Sequence, residues 1–357
     1  MIRSSRHILK YQNQGKTDWL DKLFEDYLKE LRYYINSIQT VKLPLDKNLS
    51  SKQLEGKHIF HSQWKQNIYK QASEIIRSCR KKHKKVKKIQ NISIILDERL
   101  FDVEYQEIGE FDEFIRIKLP YFEESKKRAI TINVPIKHHK HSLKYSSWIR
   151  KKSVRLKKID GKYFLDIIYE KQAPDKKTQG NQIGIDQGYN KLYITSENQQ
   201  SKTDFKSLYL DISKKKQGSK NFKQILIERD KLINQEVNQL IKENDIKTIV
   251  IEDLKNVKKK SKFSKSLNNK MQRWSYRKFT RKLQSICEEQ GIDLKKVSPA
   301  YTSQRCSKCG EIHEESRNGE KFICISCGYS EDADLNAAKN ILHRGVYNPS
   351  ITRNQKQ

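Results

Sequence analysis

Hydrophobic residues recur every three or four positions along TDWLDKLFEDYLKELRYYINSI, residues 17 to 38. Trp19, Leu20, Leu23, Phe24, Tyr27, Leu28, Leu31, Tyr34, Ile35 and Ile38 therefore share one helical face. Asp18 and Asp21 suit the start of that helix, where carboxylates favour the positive end of the dipole. A second helix is predicted over residues 62 to 80, with Trp64, Ile68, Ala72, Ile75, Ile76 and Cys79 on one face. From about residue 92 to residue 170 the pattern changes. NISIILDE, EFIRIKL, RAITINVPI and KYFLDIIYE are short, β-branched and bounded by turn residues, which predicts a β-rich region. Asp160 and Gly161 read as the turn of a hairpin between KSVRLKKI and KYFLDIIYE. The polar stretch APDKKTQGNQ, residues 173 to 182, holds Pro174 and Gly180 and reads as a linker at the main domain boundary. Beyond it the pattern predicts a buried strand (IGID), an edge (KLYITSEN), a helix over about 221–242, a strand (TIVIEDL), a basic helical region and a cysteine module.

Composition changes this picture by adding a partner. The 357 residues include 74 Lys and Arg against 43 Asp and Glu, a net charge of +31. Hydrophobic residues at 35% suffice for cores, so wholesale disorder is excluded. No stretch approaches the ~18 apolar residues of a membrane span, and the N-terminal residues lack the apolar centre of a signal peptide. The expected location is intracellular, in the cytoplasm if the host is prokaryotic. An excess of this size repels itself unless a polyanion neutralises it, which favours nucleic acid. An acidic membrane surface is the weaker reading, because no basic segment has a clean apolar face and no lipidation signal is present.

The basic residues are concentrated. Residues 77 to 88 hold eight Lys or Arg, among them Arg80, Lys81 and Lys82, and read as a helix end facing phosphate. Residues 137 to 158 add nine, together with three His. Residues 255 to 282 contain twelve and no acidic residue. Within that run Lys258, Lys259, Lys260 and Lys262 are candidate phosphate contacts, while Trp274, Phe279 and Leu283 are spaced for the core face of a helix.

Four of the six cysteines form two pairs, Cys306 with Cys309 and Cys324 with Cys327, separated by fourteen residues and each followed by glycine (Gly310, Gly328). Two such knuckles supply a tetrahedral set of thiolates for one Zn²⁺, and a closed four-sulfur site holds structure rather than activating water. His313 lies between the knuckles and is left out of that set, and Cys79 and Cys287 read as core residues. The chemistry is therefore sought among carboxylates. Asp186 ends the strand-like run Ile183-Gly184-Ile185, and Glu252 follows Thr248-Ile249-Val250-Ile251 in the same manner. Asp334 precedes Leu335, Ala338 and Ile341, the apolar side of a predicted helix. Two carboxylates on neighbouring strands and a third on a packed helix suit divalent ions about 4 Å apart in a ribonuclease-H-type arrangement for phosphodiester cleavage. Each acid singly also suits a turn or a helix cap, Asp332 included.

The motifs IGIDQGYNKLYIT, KTIVIEDLKNV, SPAYTSQRCSKCG and KFICISCGYSEDADLNAAKNIL make the chain resemble the TnpB family of transposon-encoded RNA-guided nucleases, relatives of compact type V CRISPR effectors and Fanzor proteins. The likeness covers about half the chain and extends weakly to HSQWKQNIYKQASE. Gln187, where an apolar residue is usual, and LINQEV, where relatives often carry histidine, depart from it. The resemblance implies an α+β multidomain fold. A RuvC (RNase-H-like) α/β nuclease domain would span residues 183–303 and 329–357, with a zinc ribbon inserted at 304–328. A β-barrel-like wedge domain would comprise residues 1–16 and 89–172, and a helical recognition lobe residues 17–88. The catalytic trio would be Asp186, Glu252 and Asp334 holding two Mg²⁺ ions, with Asp332 and Asn336 as supporting neighbours and Arg317 near the scissile phosphate. The implied partners are a guide RNA with a structured scaffold and a target double-stranded DNA bearing a short flanking motif, with one or two copies of the protein on one RNA. The expected activity is RNA-guided, Mg²⁺-dependent DNA cleavage at a single site. A catalytically silent RNA-guided DNA-binding protein and a guide-independent zinc-ribbon nucleic-acid-binding protein are the other readings.

Overall fold

A computed structural model describes residues 1–10, 13–46, 49, 53–54, 60–87, 89–105, 110–123, 128–254 and 275–347. The fold is mixed α/β and forms two compact units, Met1–Gln172 and Ala173–Gln357. The candidate phosphate contacts Lys258, Lys259, Lys260 and Lys262, and Trp274, lie outside the described residues.

Unit 1 begins with strand β1 (Ile2–Ile8) and helices α1 (Gln14–Gln39) and α2 (Ser62–Lys81). Helix α1 starts ahead of the acidic pair, because the Asn13 side chain accepts from the backbone N–H of Lys16 at 2.9 Å and caps it there. The predicted stripes are buried: Leu20, Leu23, Tyr27, Leu31 and Tyr34 from α1 share one core with Trp64, Ile68, Ala72 and Ile76 from α2. Cys79, read as core, is only partly buried. Strands β2 (Ser93–Asp97), β3 (Phe101–Glu104), β4 (Glu113–Glu123) and β5 (Arg128–Ile136) follow. After a short helix α3 (Lys140–Leu143) come β6 (Ile149–Ile159) and β7 (Lys162–Glu170). Two antiparallel sheets result, ordered β1-β7-β6-β2 and β3-β4-β5, and both feed the core shared with the helices. No ladder among the described residues joins them into a barrel. Asp160 and Gly161 turn between β6 and β7 with positive φ at both residues, the two-residue hairpin geometry that suits right-twisted strands.

Unit 2 is a layered α/β assembly. It contains β8 (Asn181–Asp186), β9 (Ile194–Thr195), α4 (Phe205–Lys214), α5 (Lys220–Glu243), β10 (Ile246–Glu252), α6 (Tyr276–Gln290) and β11 (Asp293–Val297). Three short strands, β12 (Arg317–Asn318), β13 (Lys321–Ile323) and β14 (Ser330–Asp332), form a separate antiparallel sheet and lead into α7 (Ala333–Val346). The main sheet is ordered β11-β10-β8-β9, with β10 parallel to both β8 and β11 and β9 antiparallel. Side chains alternate across it. Ile183, Ile185, Ile249 and Ile251 enter a core with Phe205 and Tyr209 of α4, Val237 and Leu240 of α5, and Phe279 and Leu283 of α6. The opposite face belongs to α7. A methyl group at Gly184 would lie 2.2 Å from the Ala338 carbonyl oxygen, and one at Gly345 would lie 2.4 Å from Val250 Cγ1. The two missing side chains allow the helix to lie directly on β8 and β10. No helix among the described residues is long and apolar enough to cross a membrane.

Candidate active site

Asp186 and Glu252 close the two central strands. Ile185 of β8 pairs with Ile251 of β10 in parallel register, so the next residue on each strand is a carboxylate beside a carboxylate. By alternation both lie on the face of Gly184 and Val250, where α7 packs. Helix α7 brings Asp334 in its first turn, after Asp332 caps the helix by accepting from the N–H groups of Asp334 and Leu335 at 2.9 and 3.0 Å. Asp332 is thus occupied as a cap and as the partner of Lys191 at 3.3 Å.

The electrostatics of this corner are those of crowded acids. Burial, then the charges of Glu252 and Asp334, raise the Asp186 carboxyl well above its usual range, with Arg317 opposing. Burial also raises Glu252, against the Thr302 hydrogen bond and the charges of Arg344 and Arg317. Thr302 Oγ1 lies 2.5 Å from Glu252 Oε1 and 3.0 Å from the Pro299 carbonyl oxygen. A hydroxyl carries one proton, and the shorter contact to the charged acceptor is the stronger claim on it. Arg317 Nη2 donates to Asp334 Oδ1 at 2.8 Å, with both side chains partly exposed. The structure therefore brings Asp186, Glu252, Asp334 and Arg317 into one neighbourhood, with two of the carboxylates turned towards protein donors.

The cysteine pairs also meet. Their four sulfurs lie within 4.8 Å of one another, with Cys306–Cys327 at 3.8 Å and Cys309–Cys324 at 3.6 Å. A tetrahedral Zn²⁺ with bonds of about 2.3 Å requires sulfurs about 3.8 Å apart, so the cluster fits that ion. Among the described residues it is the one set of three or more such ligand atoms drawn this close; the carboxylates stand further apart. Gly310 and Gly328 have positive φ, and their N–H groups return to the carbonyls of Cys306 and Cys324 at 3.0 and 2.9 Å. His313 instead accepts from the N–H of Glu315 and caps a turn.

Arg80, Lys81 and Lys82 are exposed at the end of α2 in unit 1, and Lys82 Nζ donates to Ser78 Oγ at 3.1 Å. Gln187 is buried and faces the Thr280 hydroxyl of α6 at 3.5 Å, which accounts for a polar residue there. Sequence reasoning missed Thr302. It sits in SPAYTSQRCSKCG, where nothing in spacing or polarity distinguishes it from the neighbouring hydroxyl of Ser303.

Residues 276–341 match the family model described as Cas12f1-like, TNB domain. The chain is 44% identical over 96 residues to a CRISPR-associated endodeoxyribonuclease Cas12f1 of Sulfoacidibacillus thermotolerans, covering 26% of this chain and 21% of that protein. It is 41% identical over 95 residues to a TnpB-like protein of Aquifex aeolicus (strain VF5), covering 26% of this chain and 31% of that protein. The matched part thus spans under a third of the length of these curated relatives. A chain of a Cas12f1–sgRNA–target DNA complex shares the fold with a TM-score of 0.52 at 17% identity, over 92% of this chain and 82% of its own. Asp334, Arg317 and the four cysteines fall within the matched residues 276–341, and these likenesses support a TnpB-type relative of the Cas12 effectors.

Proposed function

We propose that the chain is an RNA-guided DNA endonuclease whose single RuvC-type site hydrolyses phosphodiester bonds after a guide RNA pairs with target DNA beside a short flanking motif. The observation that carries the reading is the gathering of Asp186, Glu252 and Asp334 at the ends of two parallel strands and the start of the helix lying over them. Three hard oxygen donors, with burial and then the charges of Glu252 and Asp334 raising the proton affinity of Asp186, fit Mg²⁺, most simply as two ions. Bound there, the metal would activate water and stabilise the departing oxygen. The Thr302 hydroxyl donates to the Glu252 carboxylate, and Asp332 holds the turn that presents Asp334. Arg317, within hydrogen-bond reach of Asp334 and partly exposed, is placed to donate to a phosphate oxygen as charge develops on it. Zn²⁺ on the four cysteines holds the ribbon closed and takes no part in the reaction.

In this reading residues 1–16 and 89–172 form the RNA-holding wedge and 17–88 the recognition lobe. The linker is 173–182, and residues 183–303 with 329–357 form the nuclease domain around the ribbon at 304–328. Guide RNA and double-stranded target DNA are the partners, with one or two protein copies on one RNA, inside the cell. Lys258, Lys259, Lys260 and Lys262, with Arg80, Lys81 and Lys82, contact phosphate. The test is to purify the protein with the RNA that accompanies it, sequence that RNA, and assay Mg²⁺-dependent cleavage of the matching target by wild type and Asp186→Ala. Cleavage lost in the variant with RNA and target binding intact is the expected result. A wild type that binds the target and never cuts leads to the silent regulator. Bulk RNA without a preferred species, and indifference to Mg²⁺, lead to the guide-independent binder.

A further inference from the structure

Between β11 and the first cysteine knuckle the chain runs through turns at residues 298–305, held locally by hydrogen bonds to the Tyr301 carbonyl and by an isolated bridge from Arg305 to Ile312 rather than by a helix or a paired strand. Side chains of α7 tie it to the sheet unit. Asn336, Asn340 and Arg344 stand four residues apart, so they stack along one face of the helix. Arg344 Nη1 donates to the carbonyls of Ser298 and Ala300 at 2.6 and 2.7 Å. Asn340 Nδ2 donates to the carbonyls of Thr302 and Arg305 at 3.1 and 2.6 Å. Asn336 Nδ2 donates to the Arg305 carbonyl at 2.8 Å, and Asn336 Oδ1 accepts from the N–H of Ser307 at 2.9 Å. Asn336 and Asn340 are 0% and 6% exposed, so water does not substitute for these partners. Buried polar groups satisfied in this way specify one backbone path, because any other leaves them unpaired.

The ladder has chemistry at both ends. One end opens into Cys306; within the other, Thr302, itself 2% exposed, places its hydroxyl on Glu252. The helix that bears Asp334 therefore also sets the loop that orients Glu252 and launches the first knuckle. We propose that Thr302 is a positioning residue for the Glu252 carboxylate, and that the α7 ladder ties its placement to the four-cysteine cluster, so that knuckle, loop and carboxylate move as one unit. The inference rests on reading the three carboxylates as a divalent-cation site. A partner that orients a metal-binding carboxylate alters affinity without touching the ion, by about tenfold or more when removed. A merely structural Thr302, closing its turn onto Pro299, would alter stability and leave cation affinity in place.

The experiment measures Mn²⁺ binding to full-length, zinc-loaded protein by electron paramagnetic resonance, with zinc content and thermal unfolding recorded on each sample. Thr302→Val, which keeps the shape and loses the hydroxyl, is expected to weaken Mn²⁺ binding about tenfold with zinc retained. Thr302→Ser, which keeps the hydroxyl, is expected to bind as wild type does. Asn340→Ala is expected to weaken Mn²⁺ binding in the same direction and to speed amide exchange at residues 302–307. Wild-type affinity in Thr302→Val, or equal loss in the Val and Ser variants, overturns the proposal. Should Thr302→Val not fold, Thr302→Ala takes its place with the same expectations. A wild type with no saturable Mn²⁺ binding overturns the metal-site reading itself and this inference with it, an outcome distinct from any difference between variants.

Discussion

Arg317 illustrates how much a single side chain settles at this site. It pairs with Asp334 at 2.8 Å and its charge opposes the raised proton affinity of both Asp186 and Glu252. Removing it leaves three like charges with less compensation and strips the corner of its guanidinium donor. Arg317→Ala is expected to lower Mg²⁺-dependent cleavage by about a hundredfold or more, the usual loss when one preorganised donor is removed, while RNA binding stays as it was. An unchanged cleavage rate would reduce Arg317 to a surface partner of Asp334. At this scale the acids were legible, because a carboxylate directly after an apolar β-branched run is an expensive placement that asks for a reason. Asp332 was legible in its bland sense too, as a cap. Thr302 and Asn340 were not. Their partners lie 50 and 38 residues away along the chain, and a hydroxyl or amide meeting a distant group leaves no period or spacing to read.

Elements were legible where their stripes were long. The apolar faces of α1, α2, α5 and α7 repeat over several turns and are buried as their spacing predicts. Strand β11 escaped notice because three of its five residues, Asp293, Lys295 and Lys296, are charged, which an edge position permits. Helix α4 escaped because it is ten residues long and buries only Phe205, Tyr209 and Ile212. The contact between α7 and the sheet was invisible for a different reason: it depends on what Gly184 lacks. Gly184→Ala would place a methyl 2.2 Å from the Ala338 carbonyl oxygen and 2.6 Å from the Leu342 nitrogen, both backbone atoms of a helix that shifts only as a whole. The expected cost is about 1–3 kcal/mol in urea unfolding of unit 2, as for other overpacked contacts. A variant as stable as wild type would mean that α7 rests more loosely on β8 than this approach indicates.

For the whole molecule the governing quantity is a net charge of +31. If phosphate contacts dominate its association with nucleic acid, each neutralised phosphate releases counterions and the affinity falls linearly on a logarithmic salt scale. Binding of a duplex without target sequence is expected to weaken at least about a hundredfold between 50 and 200 mM salt, measured by fluorescence anisotropy. A flat dependence would remove the electrostatic basis of the basic surfaces. This property was legible from composition alone, and the polar stretch at residues 173–182 marked the point where the chain divides into Met1–Gln172 and Ala173–Gln357. The order of elements in unit 2 has one more consequence. Asp186, Glu252 and Asp334 arrive in that order during synthesis, and the last of them follows the whole of unit 1, both cysteine pairs and the loop that carries Thr302. At roughly 5–20 residues per second the ribosome needs on the order of ten seconds to pass from the first carboxylate to the third. During that interval unit 1 is already free to fold, so the first compact unit can be in place before the carboxylate corner is complete.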